Sequence, residues 1–381
     1  MAERATGRDD LLVVLSYYSP YVSGLTNVAR DVAEGLAARG RRVRVITTQH
    51  DSSLPRYEVL NGVQVERAPV ALRFGKGSIS PGLLSRVTRA ARSARLLNLH
   101  LPMLEAGLLA RRATIPVVIT YHCDVSLPPG IINSLQRRVI DASSRMAMKS
   151  AQRIIVTSQD YADNSRLTSS IRGKSVVIPP PCHQYPLGDP SFRQTEGLHI
   201  GFLGRIVEEK GLEHLVAAFR RLPAPDARLL IGGDFSKLAG RSVIDRVTDR
   251  IGDDSRIQLL GFVREDRLAD FYASIDIFAL PSINAFEAFG IVQVEAMMAG
   301  VPVVASDLPG VRVPVRETGL GRIAAPADVD SIESAIRGLI TSPLERERGR
   351  ALAVNLYAAA GVIDQYDDLL ESLSSGSASA R

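Results

Sequence analysis

The chain shows the same pattern twice, and this repetition restricts its fold more than any other feature of the sequence. Short apolar runs alternate with segments of helical spacing from LLVVLSYY (11–18) to SVVIP (175–179), and the alternation starts again at LHIGFLG (198–204). Apolar strands separated by helices are typical of a parallel sheet that helices cover on both faces. Because 381 residues exceed what one core usually holds, the sequence predicts an α/β protein with two Rossmann-like, doubly wound parallel-sheet domains.

A segment rich in proline separates the two repeats. PPPCHQYPLGDPSFRQTEG (179–197) begins with three consecutive prolines, which can continue neither a helix nor a central strand. The predicted divisions are an N-terminal domain over residues 1–182, a linker over 183–197, a C-terminal domain over 198–360, a last helix over 361–373 and a tail over 374–381. We expect the last helix to pack back on the N-terminal domain and the low-complexity tail to be disordered.

Composition narrows the class of protein. No window approaches the ~20 continuous apolar residues of a membrane span, and the N-terminus lacks the apolar run of a signal peptide. The two cysteines, Cys123 and Cys182, give no disulfide framework, so we expect a reducing, cytoplasmic setting. They stand beside His122, Asp124 and His183, but adjacent residues point apart on extended backbone, so we predict no metal site.

The stretch NAFEAFGIVQVEAMMAG (284–300) carries two acids around a turn that leads into a helix. The strand IFALPS ends just before it, and Gly290 opens the helix. A helix N-terminus offers N–H groups and partial positive charge to a phosphate, and glycine lets a ligand approach the backbone closely. Glu287 can accept hydrogen bonds from sugar hydroxyls, and Glu295 can accept from both hydroxyls of a ribose. The stretch therefore predicts a site for a nucleotide-sugar.

A second loop supplies positive charge. In GFLGRIVEEKGLEHLV (201–216), Gly204 ends a predicted strand, and Arg205 and Lys210 follow before the next helix starts. Cations at the loop ends of a parallel sheet suit a diphosphate, which arginine binds with two hydrogen bonds and lysine binds as a point charge. For this loop taken alone, a pair of solvated surface cations is an equally good interpretation.

Together the two loops resemble the retaining glycosyltransferase family 4, whose members have the GT-B fold. The resemblance spans essentially the whole chain and is strongest over residues 198–325. It implies two domains that face a central cleft, and transfer of a hexose-type sugar from a nucleoside diphosphate sugar to an acceptor hydroxyl. The matching motifs are G-R-x4-K-G at Gly204, Arg205, Lys210 and Gly211, and E-x-F-G-x4-E at Glu287, Phe289, Gly290 and Glu295.

The resemblance also implies roles for individual residues of the C-terminal half. Arg205 and Lys210 should hold the donor diphosphate, Glu287 should contact the donor sugar, and Glu295 should hold the ribose. The residues implied in catalysis are His122, Glu287, Arg205 and Lys210. The remaining donor contacts that the resemblance implies are Gly24, Phe262, Val263, Phe289, Gly290 and Ile291.

Two segments of the N-terminal half take part in the resemblance. YHCD (121–124) is similar to a histidine-containing active-site loop of the family, which would put His122 near the donor sugar and the acceptor. The first loop of the family usually carries Gly-Gly ahead of its helix, and this chain has Ser23 and Gly24 there. The candidates on the acceptor side are Tyr18, Tyr121 and Asp124.

Retention without a metal is the mechanism that the resemblance implies. Cations and a helix dipole stabilise the phosphate, so we expect neither a metal nor another cofactor. A retaining glycosidase places two carboxylates across the scissile bond, but Glu287 and Glu295 are both assigned to binding, so we expect transfer on the front face. Two alternatives stay open: a sugar-nucleotide epimerase of the GT-B fold, and a non-catalytic relative that binds nucleotide-sugars.

Charge is distributed unevenly along the chain. Residues 1–185 contain 25 Lys and Arg against 13 Asp and Glu, and residues 67–104 contain seven basic residues and no acidic one. Residues 82–97 are predicted as a helix that carries a stripe of arginines, after a Gly- and Ser-rich loop over 73–80. Since the N-terminal domain of the family meets the acceptor, we expect an anionic or lipid-linked acceptor alcohol, no nucleic acid, and peripheral contact of residues 73–95 with the inner face of a membrane. A solvated helix face is the alternative.

Overall fold

The chain divides into two compact units. Unit 1 is formed by Met1–Pro181 together with Ala359–Arg381, and unit 2 by Cys182–Ala358. No described helix is long and apolar enough to cross a membrane. The computed structural model describes residues 8–74, 77–127, 129–233, 243–342 and 344–376, with the side chains of 73–79 and 375–376 left out.

Unit 1 is organised around one large, mainly parallel sheet. Its described strands are β1 (Asp9–Val14), β2 (Val43–Gln49), β3 (Tyr57–Leu60), β4 (Val63–Pro69), β5 (Leu72–Phe74), β6 (Gly77–Ile79), β7 (Ala94–Leu101), β8 (Val117–Tyr121), β9 (Arg153–Val156) and β10 (Ser175–Val177). Eight of these strands form the sheet, in the order β10-β9-β8-β7-β1-β2-β4-β3. All neighbouring pairs run parallel except β3 and β4. The strands β5 and β6 pair with each other in an antiparallel hairpin.

Helices connect the parallel strands of unit 1. They are α1 (Gly24–Ala38), α2 (Pro81–Ala91), α3 (Ala106–Arg112), α4 (Ile131–Ser150), α5 (Gln159–Asn164), α6 (Thr168–Ile171) and α14 (Ala359–Gly376). The first of them shows how the sequence specifies these elements. The side chain of Ser23 accepts a hydrogen bond from the backbone of Thr26 at the start of α1, and Val28, Val32 and Leu36 form one buried stripe along it.

The last helix, α14, returns to unit 1 and packs beside α1. Gly35 of α1 lies so close to Ile363 that a Cβ at position 35 would overlap the isoleucine side chain. Arg39 donates a hydrogen bond of 2.6 Å to Asp364, and Arg41 donates one of 2.7 Å to Asp367. The described part of α14 ends at Gly376, so residues 374–376, predicted as the start of the tail, continue the helix instead, and residues 377–381 lie outside the described residues.

Unit 2 has a purely parallel sheet with helices on both faces. Its described strands are β11 (His199–Leu203), β12 (Arg228–Gly232), β13 (Ile257–Gly261), β14 (Ile277–Leu280), β15 (Val303–Ser306) and β16 (Gly321–Ala324). Its described helices are α7 (Leu212–Arg220), α8 (Val243–Ile251), α9 (Leu268–Ala273), α10 (Ile291–Met298), α11 (Arg312–Thr318), α12 (Val329–Thr341) and α13 (Arg346–Tyr357). Neighbouring residues of one strand, such as Ile277 and Phe278, belong to different apolar clusters, so each face of the sheet has its own core.

The strand order of unit 2 creates a place where a ligand can bind. The order is β13-β12-β11-β14-β15-β16, so the chain moves outward in one direction from β11 and then in the other from β14. The loops that follow these two central strands therefore leave the carboxyl edge of the sheet side by side. Open α/β sheets bind ligands at this reversal point.

The structure corrects two expectations about the basic stretch. The helix predicted over 82–97 ends at Ala91, and β7 begins at Ala94, because residues 96–101 form a fully buried central strand between β1 and β8. Arg95 therefore lies on a strand and does not continue the arginine stripe. Within the loop predicted over 73–80, residues 73–74 and 77–79 lie instead on the paired strands β5 and β6, and residues 75 and 76 lie outside the described residues.

The segment predicted as a linker, 183–197, belongs to unit 2. The backbone N–H of Asp189 donates to the side chain of Asp270 at 2.9 Å, and that of Phe192 donates to Ser274 at 3.0 Å. The segment has no described helix or strand, and its polar backbone is bonded to α9 and the residue that follows it.

Candidate functional site

Two loops meet at the carboxyl edge of the sheet in unit 2. The loop after β11 carries Arg205, makes one tight turn over Glu208–Lys210 and enters α7 at Gly211. Gly211 has a φ of 62°, and a Cβ there would overlap the carbonyl oxygen of Pro281 in the loop after β14. The backbone N–H of Ile283 donates a hydrogen bond of 3.0 Å to the backbone carbonyl oxygen of Glu209. The two loops are thus joined through their backbones.

The two predicted charged residues of these loops form an ion pair. Lys210 Nζ contacts Oε2 of Glu287, and both side chains are largely buried, with 15% and 16% of their surface exposed. Ser282, fully buried at the end of the strand, has its hydroxyl 3.5 Å from the same carboxylate oxygen. The structure therefore brings Lys210 and Glu287 together from segments 77 residues apart.

Arg205 lies at the same edge in a more exposed position. Its side chain is 48% exposed, and its guanidinium is 3.6 Å from the carboxylate of Glu209. An exposed ion pair of this length contributes little to stability. Breaking this pair so that Arg205 can contact a ligand would therefore cost little.

The helix α10 starts at Gly290, which has a φ of 82°. A Cβ at this position would overlap the side chain of Leu280, so the tight entry requires glycine. The buried amide of Gln293 donates to the oxygens of Phe289, at 2.5 Å, and Val311, at 2.9 Å, and holds the turn in place. The N-terminus of α10, with its partial positive charge, therefore stands next to the ion pair on a rigid support.

Glu295 is almost completely buried inside unit 2. Tyr272 donates a hydrogen bond of 3.0 Å to its Oε2, and 6% of the residue is exposed. Burial raises the pKa of Tyr272 well above its ordinary value, so the phenol keeps its proton and remains a donor. A buried carboxylate must be paired, and this one is held in a fixed orientation by a group that the sequence did not indicate.

The other predicted donor residues of unit 2 lie in different environments. Phe262, just after β13, is 70% exposed, whereas Val263 beside it is buried. Phe289 is buried against Tyr357, with the ring centres 5.4 Å apart, and Ile291 is partly buried at the first turn of α10. Only Phe262 among them presents a large accessible side chain, so contacts from the others would come mainly from the backbone.

His122 stands at the carboxyl edge of the sheet in unit 1, next to a second histidine. Its backbone N–H donates to the oxygen of Leu101 at 3.1 Å, and its Nε2 lies 2.9 Å from Nδ1 of His100. Burial lowers the pKa of His122 to about 3 and that of His100 well below its ordinary value, so both rings are neutral near pH 7. The sequence analysis did not single out His100; the alternating polar residues Asn98 and His100 within the apolar strand β7 are the signal that could have indicated it.

The predicted acceptor-side residues are buried. Tyr18 is fully buried, Tyr121 donates its hydroxyl to Asp124, and Asp124 also accepts from the Ser165 hydroxyl at 2.9 Å and the Arg166 backbone at 3.1 Å. These bonds give Asp124 a structural role in holding the loop after β8. Contact of Tyr18, Tyr121 and Asp124 with an acceptor stays a prediction.

Gly24 opens α1 at an exposed position in unit 1. A Cβ built on this residue would meet no atom within 4 Å, so the surrounding protein leaves space where a ligand could approach the helix start. Among the residues that the structure describes, no three His, Cys, Asp or Glu side chains are grouped so that they could hold a metal ion.

Comparison with known proteins identifies the family. The family description "Glycosyl transferase 4-like domain" matches residues 23–181, and "Glycosyl transferases group 1" matches residues 190–353. The chain belongs to glycosyltransferase family 4, and its two parallel-sheet units are those of the GT-B fold.

The relatives are distant but match over most of their length. A phosphatidyl-myo-inositol mannosyltransferase from Mycobacterium leprae is 28% identical over 93% of this chain and 92% of its own. A D-inositol 3-phosphate glycosyltransferase from Xylanimonas cellulosilytica is 26% identical over 90% and 91%. Among solved structures, sucrose-phosphate synthase from Thermosynechococcus elongatus matches with a TM-score of 0.78 at 21% identity, over 97% of this chain and all of that one. HepE from Anabaena in complex with UDP-glucose matches with a TM-score of 0.71 at 20% identity, over 95% and 99%.

Proposed function

We propose that the enzyme transfers a hexose-type sugar from a nucleoside diphosphate sugar to an acceptor hydroxyl, with retention of the anomeric configuration and without a metal. One observation carries the proposal: the loops after β11 and β14 place Arg205, Lys210, Glu287 and the start of α10 together at the reversal point of the sheet in unit 2. Positive charge at that point suits a diphosphate.

The leaving group determines what these residues do. As the bond between the anomeric carbon and the phosphate oxygen breaks, negative charge gathers on the diphosphate. Arg205, Lys210 and the N-terminus of α10 stabilise this charge. The acceptor oxygen bonds to the anomeric carbon on the same face, and its proton passes to the leaving phosphate oxygen. Glu287 is bound to Lys210 and Glu295 to Tyr272, so neither is proposed as a nucleophile.

Recognition of the donor divides between the two acids. Glu287 accepts hydrogen bonds from hydroxyls of the sugar while its carboxylate remains paired with Lys210. Glu295 accepts from the ribose hydroxyls while it also holds the bond from Tyr272, since a carboxylate offers about four acceptor positions. The backbone around Phe262 and Val263 contacts the base. Contact of the donor with Gly24 of unit 1 stays a prediction of the family resemblance.

The acceptor is an alcohol with negative charge or a lipid anchor. Two relatives carry names that specify phosphatidyl-myo-inositol and D-inositol 3-phosphate, both of which combine hydroxyls with phosphate. The excess of basic residues in 1–185 suits such acceptors. We propose that the enzyme works in the cytoplasm and touches the membrane at the face that carries these charges.

The proposal is tested by transfer in the presence of a chelator. We expect the enzyme to move radiolabelled sugar from one of UDP-glucose, GDP-mannose, ADP-glucose or TDP-glucose to inositol 3-phosphate or to phosphatidylinositol in micelles, at an undiminished rate in excess EDTA. NMR of the product should show the anomeric configuration of the donor. A rate that EDTA abolishes and Mg²⁺ restores would refute the metal-free mechanism. Conversion of the nucleotide-sugar to an epimer without transfer would indicate a sugar-nucleotide epimerase. Binding of the nucleotide-sugar without any turnover would indicate a non-catalytic binding protein.

Two surfaces of unit 1 support contact with a membrane. Within 73–95, Arg86 pairs with Glu66 at 3.0 Å and Arg95 lies 3.5 Å from Asp10. The other two arginines of the predicted stripe, Arg89 and Arg92, are exposed and have no described ion pair. On α4, four apolar residues are exposed along one face, namely Ile131, Ile132, Leu135 and Val139. Exposed apolar side chains near basic ones suit an anionic lipid surface.

We expect the enzyme to sediment with vesicles that contain anionic lipid at low salt, and to be released at high salt because exposed charges are screened. Replacing Arg89 and Arg92 with Glu should reduce binding, since each basic residue near such a surface contributes ~1 kcal/mol. Replacing Ile132 and Leu135 with Ser tests α4. The control is Arg348→Glu on α13, an exposed arginine of unit 2. If no vesicle sediments the wild-type enzyme, membrane contact is refuted and a soluble acceptor becomes the better hypothesis.

A further inference from the structure

Two histidines, His100 and His122, lie in direct contact at the carboxyl edge of the sheet in unit 1. The family motifs assign a role to His122 but none to His100. His100 is the next-to-last residue of β7, and His122 follows the end of β8. Their rings stack with centres 5.1 Å apart, and the Nδ1 of His100 lies 2.9 Å from Nε2 of His122. His100 is 1% exposed and His122 is 8% exposed, so only His122 reaches the surface.

Each ring brings one proton to this arrangement. Both imidazoles are neutral, so each has one N–H and one bare nitrogen. The contact between the rings needs one donor and one acceptor, and this leaves two arrangements. Either His100 donates its Nδ1–H to the bare Nε2 of His122, or His122 donates its Nε2–H to the bare Nδ1 of His100.

The far nitrogen of His100 decides between the two arrangements. Its Nε2 is buried and has no hydrogen-bond partner within the described part of the chain. In the second arrangement this nitrogen would carry a proton, and a buried N–H without an acceptor is rare and unfavourable. In the first arrangement it is bare and needs no acceptor. The first arrangement is therefore the stable one, and it puts the proton of His122 on Nδ1.

Polar residues occupy the positions next to His100 on the same two strands. One step back along the same strands, Asn98 donates to the hydroxyl of Thr120 at 3.0 Å and to the oxygen of Val118 at 3.3 Å. Thr120 lies opposite His100 in the register of β7 and β8. The side chains of Thr120 and of Tyr366 in α14 share a hydrogen bond. A polar ladder thus continues from the interior of the sheet to His122.

We propose that His100 is a positioning residue that fixes the tautomer and orientation of His122. With its Nε2 engaged, His122 can offer only Nδ1–H, so it acts toward bound substrate as a hydrogen-bond donor and not as a base. This inference rests on the proposed function and on the role that the family resemblance implies for His122, which is contact with the donor sugar or the acceptor.

The arrangement can be observed without any activity measurement. In the full-length enzyme labelled with 15N-histidine, long-range 1H–15N spectra distinguish the two neutral tautomers and the cation. We expect His122 near pH 7 to show protonated Nδ1 and bare Nε2, with His122→Ala used to assign its signals. A protonated Nε2 on His122, or a cationic ring, would overturn the proposal whatever the enzyme transfers.

Two variants of His100 test the consequence for transfer. The amide nitrogen of Asn can occupy the place of the histidine Nδ1 donor, whereas Leu fills the space without a donor. We expect His100→Leu to give a mixture of His122 tautomers and to lower kcat about tenfold, as for one lost hydrogen bond, with the Kd for the nucleoside diphosphate unchanged. We expect His100→Asn to restore the single tautomer and most of the turnover.

Three outcomes separate the possibilities. If His122→Ala abolishes transfer but His100→Leu keeps the kcat of the wild-type enzyme, the proposal is overturned. Equal loss in the Asn and Leu variants would assign His100 a merely structural role and would also overturn it. If His100→Leu does not fold, the tautomer of His122 in the wild-type and His100→Asn enzymes decides. Full transfer by His122→Ala would instead refute the proposed function of His122 and leave the tautomer spectrum as the test of the pair.

Discussion

Replacing Lys210 with Met is expected to lower turnover by about 100- to 1,000-fold, the usual cost of removing one group that stabilises a developing negative charge. Methionine keeps the length of the stem and removes the charge. Because Lys210 is paired with Glu287, the variant also leaves a largely buried carboxylate without its partner, and the melting temperature should fall. The measurement is kcat of the purified variant beside its thermal unfolding, with Lys149→Met, an exposed lysine of α4, as the matched control.

A double variant separates catalysis from stability at this position. Lys210→Met together with Glu287→Gln removes both charges and leaves no unpaired carboxylate. We expect the double variant to recover the melting temperature and to remain inactive, because the leaving diphosphate still lacks its cation. Recovery of turnover along with stability would mean that Lys210 serves only to balance Glu287, and the assignment of the donor site would be wrong.

Replacing Glu295 with Gln is expected to weaken binding of the donor nucleoside diphosphate by about 10- to 100-fold. Hydrogen bonds to a charged acceptor contribute ~1.5–3 kcal/mol, and the amide retains one acceptor where the carboxylate had two. The shape of the side chain is unchanged, and the amide still accepts from Tyr272. The Kd should be measured by calorimetry, with unfolding followed in parallel.

Tyr272→Phe is the control for Glu295. It removes the buried donor to the carboxylate but no atom that would touch the ribose. We expect a smaller change of Kd than for Glu295→Gln, since the carboxylate remains. Equal Kd values for Glu295→Gln and the wild-type enzyme, at equal stability, would exclude Glu295 from the nucleotide site.

The fold could be predicted because it depends on local patterns. Buried strands such as β11 and β14 are continuous apolar runs, and Gly290 marks the start of α10 in the sequence itself. The helix predicted over 82–97 extended six residues too far because helical spacing continues past Ala91, although the apolar run LLNLHL (96–101) in the same stretch also predicts a strand. Pairing of β7 with β1 and β8 outweighs the local preference.

The candidate site was predictable only where a motif carried it. Arg205, Lys210 and Glu287 lie in the loops that follow two strands, Glu295 lies in the helix after the second loop, and the family motifs fix their spacing. Their supporting partners come from distant segments: Tyr272 precedes Glu295 by 23 residues and has no motif. His100 precedes His122 by 22 residues. Such contacts arise from the packing of the sheet, so the sequence shows the polar residues but not which of them meet.

The most direct measurement of the central claim is thermal unfolding of the wild-type enzyme with GDP, UDP, ADP and TDP. A ligand at 100 times its Kd adds about 2.7 kcal/mol to the free energy of unfolding. We expect one of the four diphosphates to raise the melting temperature clearly more than its own monophosphate does, in EDTA, and to lose this effect in Lys210→Met. If none of them stabilises the wild-type enzyme at millimolar concentration, the site at β11 and β14 does not bind a nucleoside diphosphate, and the account is wrong.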